Sequence, residues 1–140
     1  MKLLRLMPMS RLKGLIILLG LGLTLLVSQV GWSSADAIAP QALVSRLGTP
    51  QAPLILDVRS EAEYQEGHIP GAINIPYREV PDRLSEIADF TPREVVVYCE
   101  VGVRAGIAEL ALEQAGFESI RHLDGDMRRW RQESLPLETD

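Results

Sequence analysis

The sequence predicts an α/β fold in which helices cover both faces of a parallel sheet. Two observations lead to this prediction. Short, continuously apolar runs recur along the chain, and segments with apolar residues at helical spacing separate them. A strand that is apolar at every position is buried on both faces, which is the situation of a parallel sheet between two helical layers.

Four strands are predicted from the apolar runs. The strongest are LILDV at 54–58 and EVVVYC at 94–99, and weaker patterns lie at 72–75 and 119–123. Because the run at 94–99 is the most apolar, we expect it to be the central strand. Ligands of such sheets bind beyond the carboxyl ends of the strands, so Cys99 lies at the predicted binding edge.

Helices are predicted in the connections between these strands. Three have apolar residues at helical spacing and span residues 39–47, 81–90 and 105–115. Ser60, with Glu63 three residues later, forms the pattern of a capping box and predicts a further short helix. A short final helix is expected at 124–131.

The charge of the chain is unevenly distributed. Of its 14 basic and 19 acidic residues, the first 37 residues hold four basic and one acidic. The remaining 103 residues therefore hold ten basic and 18 acidic residues, a net charge of −8. An acidic body of this kind repels phosphate backbones, so nucleic acid is not expected as a partner.

The first 37 residues have the three parts of a secretory signal peptide. A basic segment ends at Lys13, an uncharged apolar run spans Leu15–Val27, and an Ala-x-Ala site ends at Ala37. We therefore expect residues 1–37 to be a cleaved signal peptide and residues 38–140 to be an exported, periplasmic or otherwise extracytoplasmic domain. The alternative is an uncleaved membrane anchor, although a spanning helix needs ~20 apolar residues. In both cases the basic residues precede the apolar run, which places the domain outside the cytoplasm.

Cys99 is the single cysteine of the chain. One cysteine excludes an internal disulfide, a Cys-x-x-Cys dithiol and a Cys-rich zinc site. His122 has no second ligand at metal spacing and is interpreted as a strand residue. We therefore expect neither a metal ion nor another cofactor.

The loop from Cys99 to Arg104 has the composition of an anion-binding cradle. A turn from strand to helix directs backbone N–H groups into one concavity, and the helix N-terminus adds partial positive charge. Gly102 permits a left-handed or closely packed backbone, and Arg104 adds a fixed cation. These features favour the thiolate and predict a nucleophilic cysteine. The alternatives are that Cys99 is a small buried apolar residue and that Glu100 and Arg104 simply pair across the loop mouth.

Three ordered motifs resemble those of the rhodanese family. They are LILDVRSEAEYQEGHIPGAINIP at 54–76, VVVYCEVGVRAGIAELALEQAGF at 95–117 and LDGDMRRW at 123–130. The resemblance extends from Ala39 to Pro136. It implies a rhodanese-like fold, with a five-stranded parallel sheet as the core and helices on both faces.

The resemblance also implies a single-domain sulfurtransferase whose catalytic residue is Cys99. The cysteine would take sulfane sulfur from a small-molecule donor such as thiosulfate, hold it as a persulfide and pass it to cyanide or a thiol. The residues that would bind the substrate are Glu100, Val101, Gly102, Val103 and Arg104. Asp57 and Arg59 match the first motif and would support this loop.

Two other functions are open within this fold. A rhodanese-fold phosphatase has five residues between cysteine and arginine, whereas four separate Cys99 from Arg104, which disfavours that function. A non-catalytic binding or envelope-stress module would use the fold as a docking surface, but inactive modules usually lack the cysteine. The sequence departs from the family pattern at Glu100, where basic residues are common in thiosulfate enzymes, and at Asp126, where a second glycine is common.

Overall fold

The strand predicted to be central is the third of five strands in a parallel sheet. The computed structural model describes residues 36–139, so the predicted signal peptide lies outside the described residues except at its last two positions. The strands are β1 Ala37–Ile38, β2 Leu54–Asp57, β3 Ile73–Asn74, β4 Val95–Tyr98 and β5 Ile120–Leu123. Their order in the sheet is β1-β5-β4-β2-β3.

Helices occupy the connections between the strands, as predicted. Within the described residues they are α1 Pro40–Val44, α2 Glu61–Gln65, α3 Val80–Arg83, α4 Val103–Gln114 and α5 Asp126–Gln132. The predicted capping box begins α2, because the Ser60 hydroxyl accepts from the Glu63 N–H and the Glu63 carboxylate accepts from the Ser60 N–H at 2.9 Å. No helix within residues 36–139 has the length and apolar character needed to cross a membrane.

The structure differs from the sequence prediction at two places. The helix expected at 81–90 is broken, because α3 is followed by two short 3₁₀ turns at Leu84–Glu86 and Ala88–Phe90. The tighter turns still bury Ile87 completely, so the apolar spacing was real although the helix was not continuous. The second difference is β1, which the apolar pattern missed because two residues are too few to show a period.

The sheet separates two apolar layers, and the residues of β4 alternate between them. Val95 and Val97 pack in one layer, while Val96 and Tyr98 pack in the other. All four residues are buried, which is why the sequence of β4 is continuously apolar. The first layer contains the inner face of α4, and the second contains Trp130 of α5, which is fully buried.

Candidate active site

Cys99 directly follows β4 at the carboxyl end of the central strand. Its position continues the alternation of Val95 and Val97, so its side chain faces the layer that contains α4. The cysteine is only 1% exposed. The strand therefore delivers the thiol to the predicted binding edge and holds it under the loop that leads into α4.

The loop turns sharply at Gly102, which is the N-cap of α4. Its φ of +99° is left-handed, and its backbone N–H donates to the Cys99 Sγ over 3.1 Å. A Cβ at this position would lie 3.1 Å from Asp126 Oδ2 and 3.4 Å from His122 Nε2. Glycine is thus required both by the backbone conformation and by the side chains packed behind the loop.

The N-terminus of α4 opens towards the thiol. The N-cap supplies no side-chain acceptor, and the first-turn N–H groups of a helix have no intrahelical partner. These groups and the helix dipole favour an anion at this point. Two apolar side chains, Val101 and Val103, are 53% and 71% exposed at the mouth of the loop.

Arg104 lies beside the thiol and is held by a carboxylate from another element. Its two terminal nitrogens donate to Glu63 of α2 over 2.7 and 2.8 Å. This bidentate pair holds the pKa of the Glu63 carboxyl well below its usual range, and Ser60 adds to the effect. The same hydrogen bonds raise the pKa of Arg104, and Cys99 contributes in the same direction. The guanidinium is therefore a fixed cation within electrostatic reach of the sulfur.

Glu100 points away from Arg104. Its carboxylate accepts from Arg131 of α5 over 2.6 Å, and Arg59 Nη1 lies 3.9 Å from its second oxygen. The suggestion that Glu100 and Arg104 pair with each other is therefore wrong, because each has a partner on a different helix. Two cations surround the negative charge that Glu100 adds to the loop.

Asp57 and Arg59 form a fully buried ion pair beneath the loop. Arg59 donates to the Asp57 carboxylate through Nε at 3.0 Å and Nη2 at 2.6 Å, and Nη2 also donates to the Gly67 carbonyl at 2.8 Å. Neither side chain is exposed. The Nη1 atom of Arg59 is buried without a hydrogen-bond partner among the described residues and faces Glu100. Arg59 thus lies beside Glu100 of the loop, with Asp57 as its buried partner.

The sequence did not predict the contacts that α5 makes with the loop. Asp126 Oδ1 accepts from the Cys99 N–H over 2.8 Å, and the Met127 N–H donates to the Cys99 carbonyl over 3.1 Å. The Arg128 N–H donates in the same way to the Glu100 carbonyl. The only sequence signal was the carboxylate at position 126 of the closing turn. The start of α5 therefore holds both the N–H and the carbonyl of Cys99.

Known proteins support the family assignment. The family model of the rhodanese-like domain matches residues 39–133. A sulfurtransferase of Allochromatium vinosum is 35% identical over 73% of this chain and 94% of its own length. Thiosulfate sulfurtransferase PspE of Escherichia coli is 36% identical over 50% of this chain and 67% of its own. An HTH-type transcriptional regulator of Mycobacterium tuberculosis is 42% identical over 76% of this chain, which spans 46% of the length of that regulator.

Solved structures share the fold. A crystal structure of the Alr3790 protein of Anabaena matches with a TM-score of 0.66 and 33% identity, over 74% of this chain and 82% of that one. A rhodanese-related protein of Thermoplasma volcanium matches with a TM-score of 0.65 and 26% identity, over 75% of this chain and 99% of that one. The five-stranded fold implied by the sequence motifs is confirmed, and this chain belongs to the rhodanese-like domain family.

Proposed function

We propose that the protein is a sulfurtransferase that carries sulfane sulfur as a persulfide on Cys99. The observation that carries this proposal is the environment of the sulfur. The Gly102 N–H donates to it, and Arg104 supplies a fixed positive charge beside it. Both features stabilise a thiolate. In a persulfide the negative charge lies on the outer sulfur, one S–S bond beyond Sγ, where Arg104 and the N-terminus of α4 favour an anion.

The proposed reaction needs two displacements at sulfur. The Cys99 thiolate attacks the sulfane sulfur of thiosulfate, a new S–S bond forms, and sulfite leaves with the electron pair of the broken bond. Cyanide then attacks the outer sulfur, thiocyanate forms, and the thiolate of Cys99 is regenerated. With a thiol as the acceptor, the sulfur leaves as the persulfide of that thiol. The covalent intermediate separates the two half-reactions, which predicts ping-pong kinetics.

The charges at the loop support an anionic donor. Glu100 is compensated by Arg131, so its carboxylate repels the donor less than the sequence alone indicated. Arg104 has its strongest contact with Glu63, and a donor anion must compete with that carboxylate. The exposed side chains of Val101 and Val103 support an acceptor that carries apolar groups beside its thiol.

Steady-state sulfur transfer tests this proposal. Thiosulfate and mercaptopyruvate are compared as donors, each with cyanide and with a dithiol as acceptor, and Cys99→Ser serves as the control. We expect turnover with at least one pair, parallel double-reciprocal lines, and no turnover in Cys99→Ser. Turnover that persists in Cys99→Ser, or its absence with every pair, contradicts the proposal.

We also propose that the protein is exported, with the Ala37–Ile38 bond as the cleavage site. The proposal is supported by the order of basic, apolar and small residues in the first 37 positions. N-terminal sequencing of the protein from an envelope fraction tests it. A start at Ile38 supports cleavage, and an intact start at Met1 in membranes supports the uncleaved anchor instead. Full-length protein in the cytoplasm contradicts both.

A further inference from the structure

A histidine lies between two carboxylates behind the catalytic loop. His122 of β5 places Nδ1 2.6 Å from Glu109 Oε1 of α4, and Nε2 3.0 Å from Asp126 Oδ2 of α5. A neutral imidazole has one N–H and can donate to one of these oxygens only. Two ionised carboxylates at these distances are both satisfied only by the doubly protonated ring, which donates to each.

One of these carboxylates connects the histidine to the nucleophile. Asp126 is only 2% exposed, and its second oxygen accepts from the Cys99 N–H over 2.8 Å. Its backbone has a φ of +53°, a left-handed conformation that a residue with a side chain rarely adopts. A glycine would adopt this backbone with less strain, so the carboxylate at this position has a conformational cost.

The histidine and this carboxylate also contact the loop itself. The position where Gly102 would carry a Cβ is 3.4 Å from His122 Nε2 and 3.1 Å from Asp126 Oδ2. The N–H of the same glycine donates to the Cys99 sulfur. The His122–Asp126 pair thus packs directly against the residue that hydrogen-bonds to the thiolate.

We propose that His122 is a positioning residue of the sulfur-transfer site. As an imidazolium, it holds Asp126 against the Cys99 backbone. Its charge also cancels that of the carboxylate beneath the loop, and this compensation favours the Cys99 thiolate. Its effect on turnover rests on the proposed sulfurtransferase function. Its effect on the thiolate does not, because ionisation of the thiol requires no sulfur donor.

The electrostatics of the surrounding groups agree with this role. Hydrogen bonds to Asp126 and Glu109 raise the pKa of His122 to about 10, so the ring is charged at neutral pH. Without that charge, Asp126 would be a buried, uncompensated carboxylate next to the nucleophile.

Each element packed around the loop contributes its own charges. The charged groups around the loop are Arg104 and Glu109 of α4, Asp126 of α5, His122 of β5 and, paired with Arg104, Glu63 of α2. Glu100 adds a further charge, which Arg131 balances. Within residues 36–139, no group of three or more His, Cys, Asp and Glu side chains is arranged to hold a metal ion. His122 and its two carboxylates form an ion-pair network.

A titration of the thiolate across four variants tests the proposal. The ultraviolet absorbance of the Cys99 thiolate is followed against pH, with Cys99→Ser as the blank. His122→Gln removes the charge and is expected to lower the thiolate fraction near neutral pH by about three- to tenfold. Asp126→Gly removes the opposing carboxylate at a position whose backbone suits glycine. In this variant, the titration of Cys99 should move to lower pH. In the double variant, the loss caused by His122→Gln should largely disappear.

Arg121→Gln is the matched control. It removes a positive charge from the same strand, but Arg121 pairs with Glu94 and the Ala37 carbonyl, away from Cys99, so the titration should not move. The proposal is overturned if Cys99 in His122→Gln titrates as in the wild type. It is also overturned if the double variant keeps the full loss of thiolate fraction, because that result is expected of a purely structural role of His122. If His122→Gln does not fold, a shift of Asp126→Gly to higher pH is sufficient to reject it.

Discussion

Two arginine–carboxylate pairs lie beside the Cys99–Arg104 loop, and they differ mainly in their contact with water. In the Asp57–Arg59 pair, neither side chain is exposed, whereas the side chains of Glu63 and Arg104 are 34% and 28% exposed. Both pairs are bidentate. The same chemical contact is therefore present once inside the protein and once at the mouth of the site.

The difference in burial indicates that the two pairs differ in their ability to exchange a partner for a ligand. A buried ion that loses its partner remains unsolvated, so the inner pair cannot exchange its partners for a ligand. The outer pair is partly solvated, and Arg104 can accept a donor anion in place of Glu63 at little cost. Under the proposed function, Arg59 would maintain the base of the loop, while Arg104 would interact with the reacting groups.

The largest expected effect comes from breaking the inner pair. Arg59→Leu leaves the Asp57 carboxylate buried and unpaired, which should lower the free energy of unfolding by about 3–5 kcal/mol. Urea unfolding measures this loss. The matched control is Arg104→Leu at the outer pair, for which we expect a loss of about 1 kcal/mol or less. Equal losses in the two variants would show that burial does not distinguish the pairs.

Removing the outer arginine should instead affect turnover. Arg104→Ala is expected to lower kcat/KM for thiosulfate by about tenfold or more, which corresponds to ~1.4 kcal/mol, because the thiolate and the bound anion both lose their cation. Arg104→Lys keeps the charge but not the forked geometry, so it should recover part of the loss. An unchanged kcat/KM in Arg104→Ala would mean that Arg104 interacts with Glu63 and contributes nothing to the binding or reaction of thiosulfate.

The outer pair should also be visible in the acid stability of the protein. Arg104 holds the pKa of Glu63 well below its usual value, so the folded protein keeps Glu63 ionised where the unfolded chain binds a proton. The stability from this pair is thus present above pH 4.5, the usual pKa of Glu, and is lost as the pH falls below it. In Glu63→Gln, the free energy of unfolding should depend less on pH in this range. The difference from the wild type should be about 1 kcal/mol or less after solvent screening. Identical pH profiles would contradict this assignment.

The smallest expected effect concerns Glu100. Arg131→Ala removes the cation that pairs with the Glu100 carboxylate, so this carboxylate should repel thiosulfate more strongly. We expect kcat/KM for thiosulfate to fall by about two- to threefold at low salt and by less at high salt. The double variant Glu100→Gln/Arg131→Ala should recover the wild-type value, since no uncovered charge remains. A loss that survives in the double variant would instead assign Arg131 a contact of its own with the donor.

Local features of the sequence predicted the elements that hold the nucleophile. The run at 94–99 predicted a central strand because burial on both faces leaves no polar position, and Ser60 and Glu63 predicted their capping box because both partners lie within one helical turn. The partner of Arg104 could not be predicted in this way. Glu63 is 41 positions away, and only the packing of α2 against the loop brings the two charges together.

The same limitation explains the contacts of α5. Asp126 was visible in the sequence as a departure from glycine, but its bond to the Cys99 N–H crosses 27 positions. β1 was missed for a different reason, because two residues that pair with β5 carry no periodic signal. Pattern and spacing thus predicted the position of Cys99 at the end of the central strand, whereas the charges around it depend on tertiary structure.

The most direct test of the central claim is mass spectrometry of the Cys99 peptide after incubation with thiosulfate. We expect the mass of one added sulfur atom on this peptide, its release by cyanide and its absence in Cys99→Ser. Arg104→Ala should form the same adduct more slowly, because the cation supports the reaction but does not carry the sulfur. An unmodified Cys99 peptide with thiosulfate and with mercaptopyruvate, from a folded protein whose thiol is free, would contradict the account.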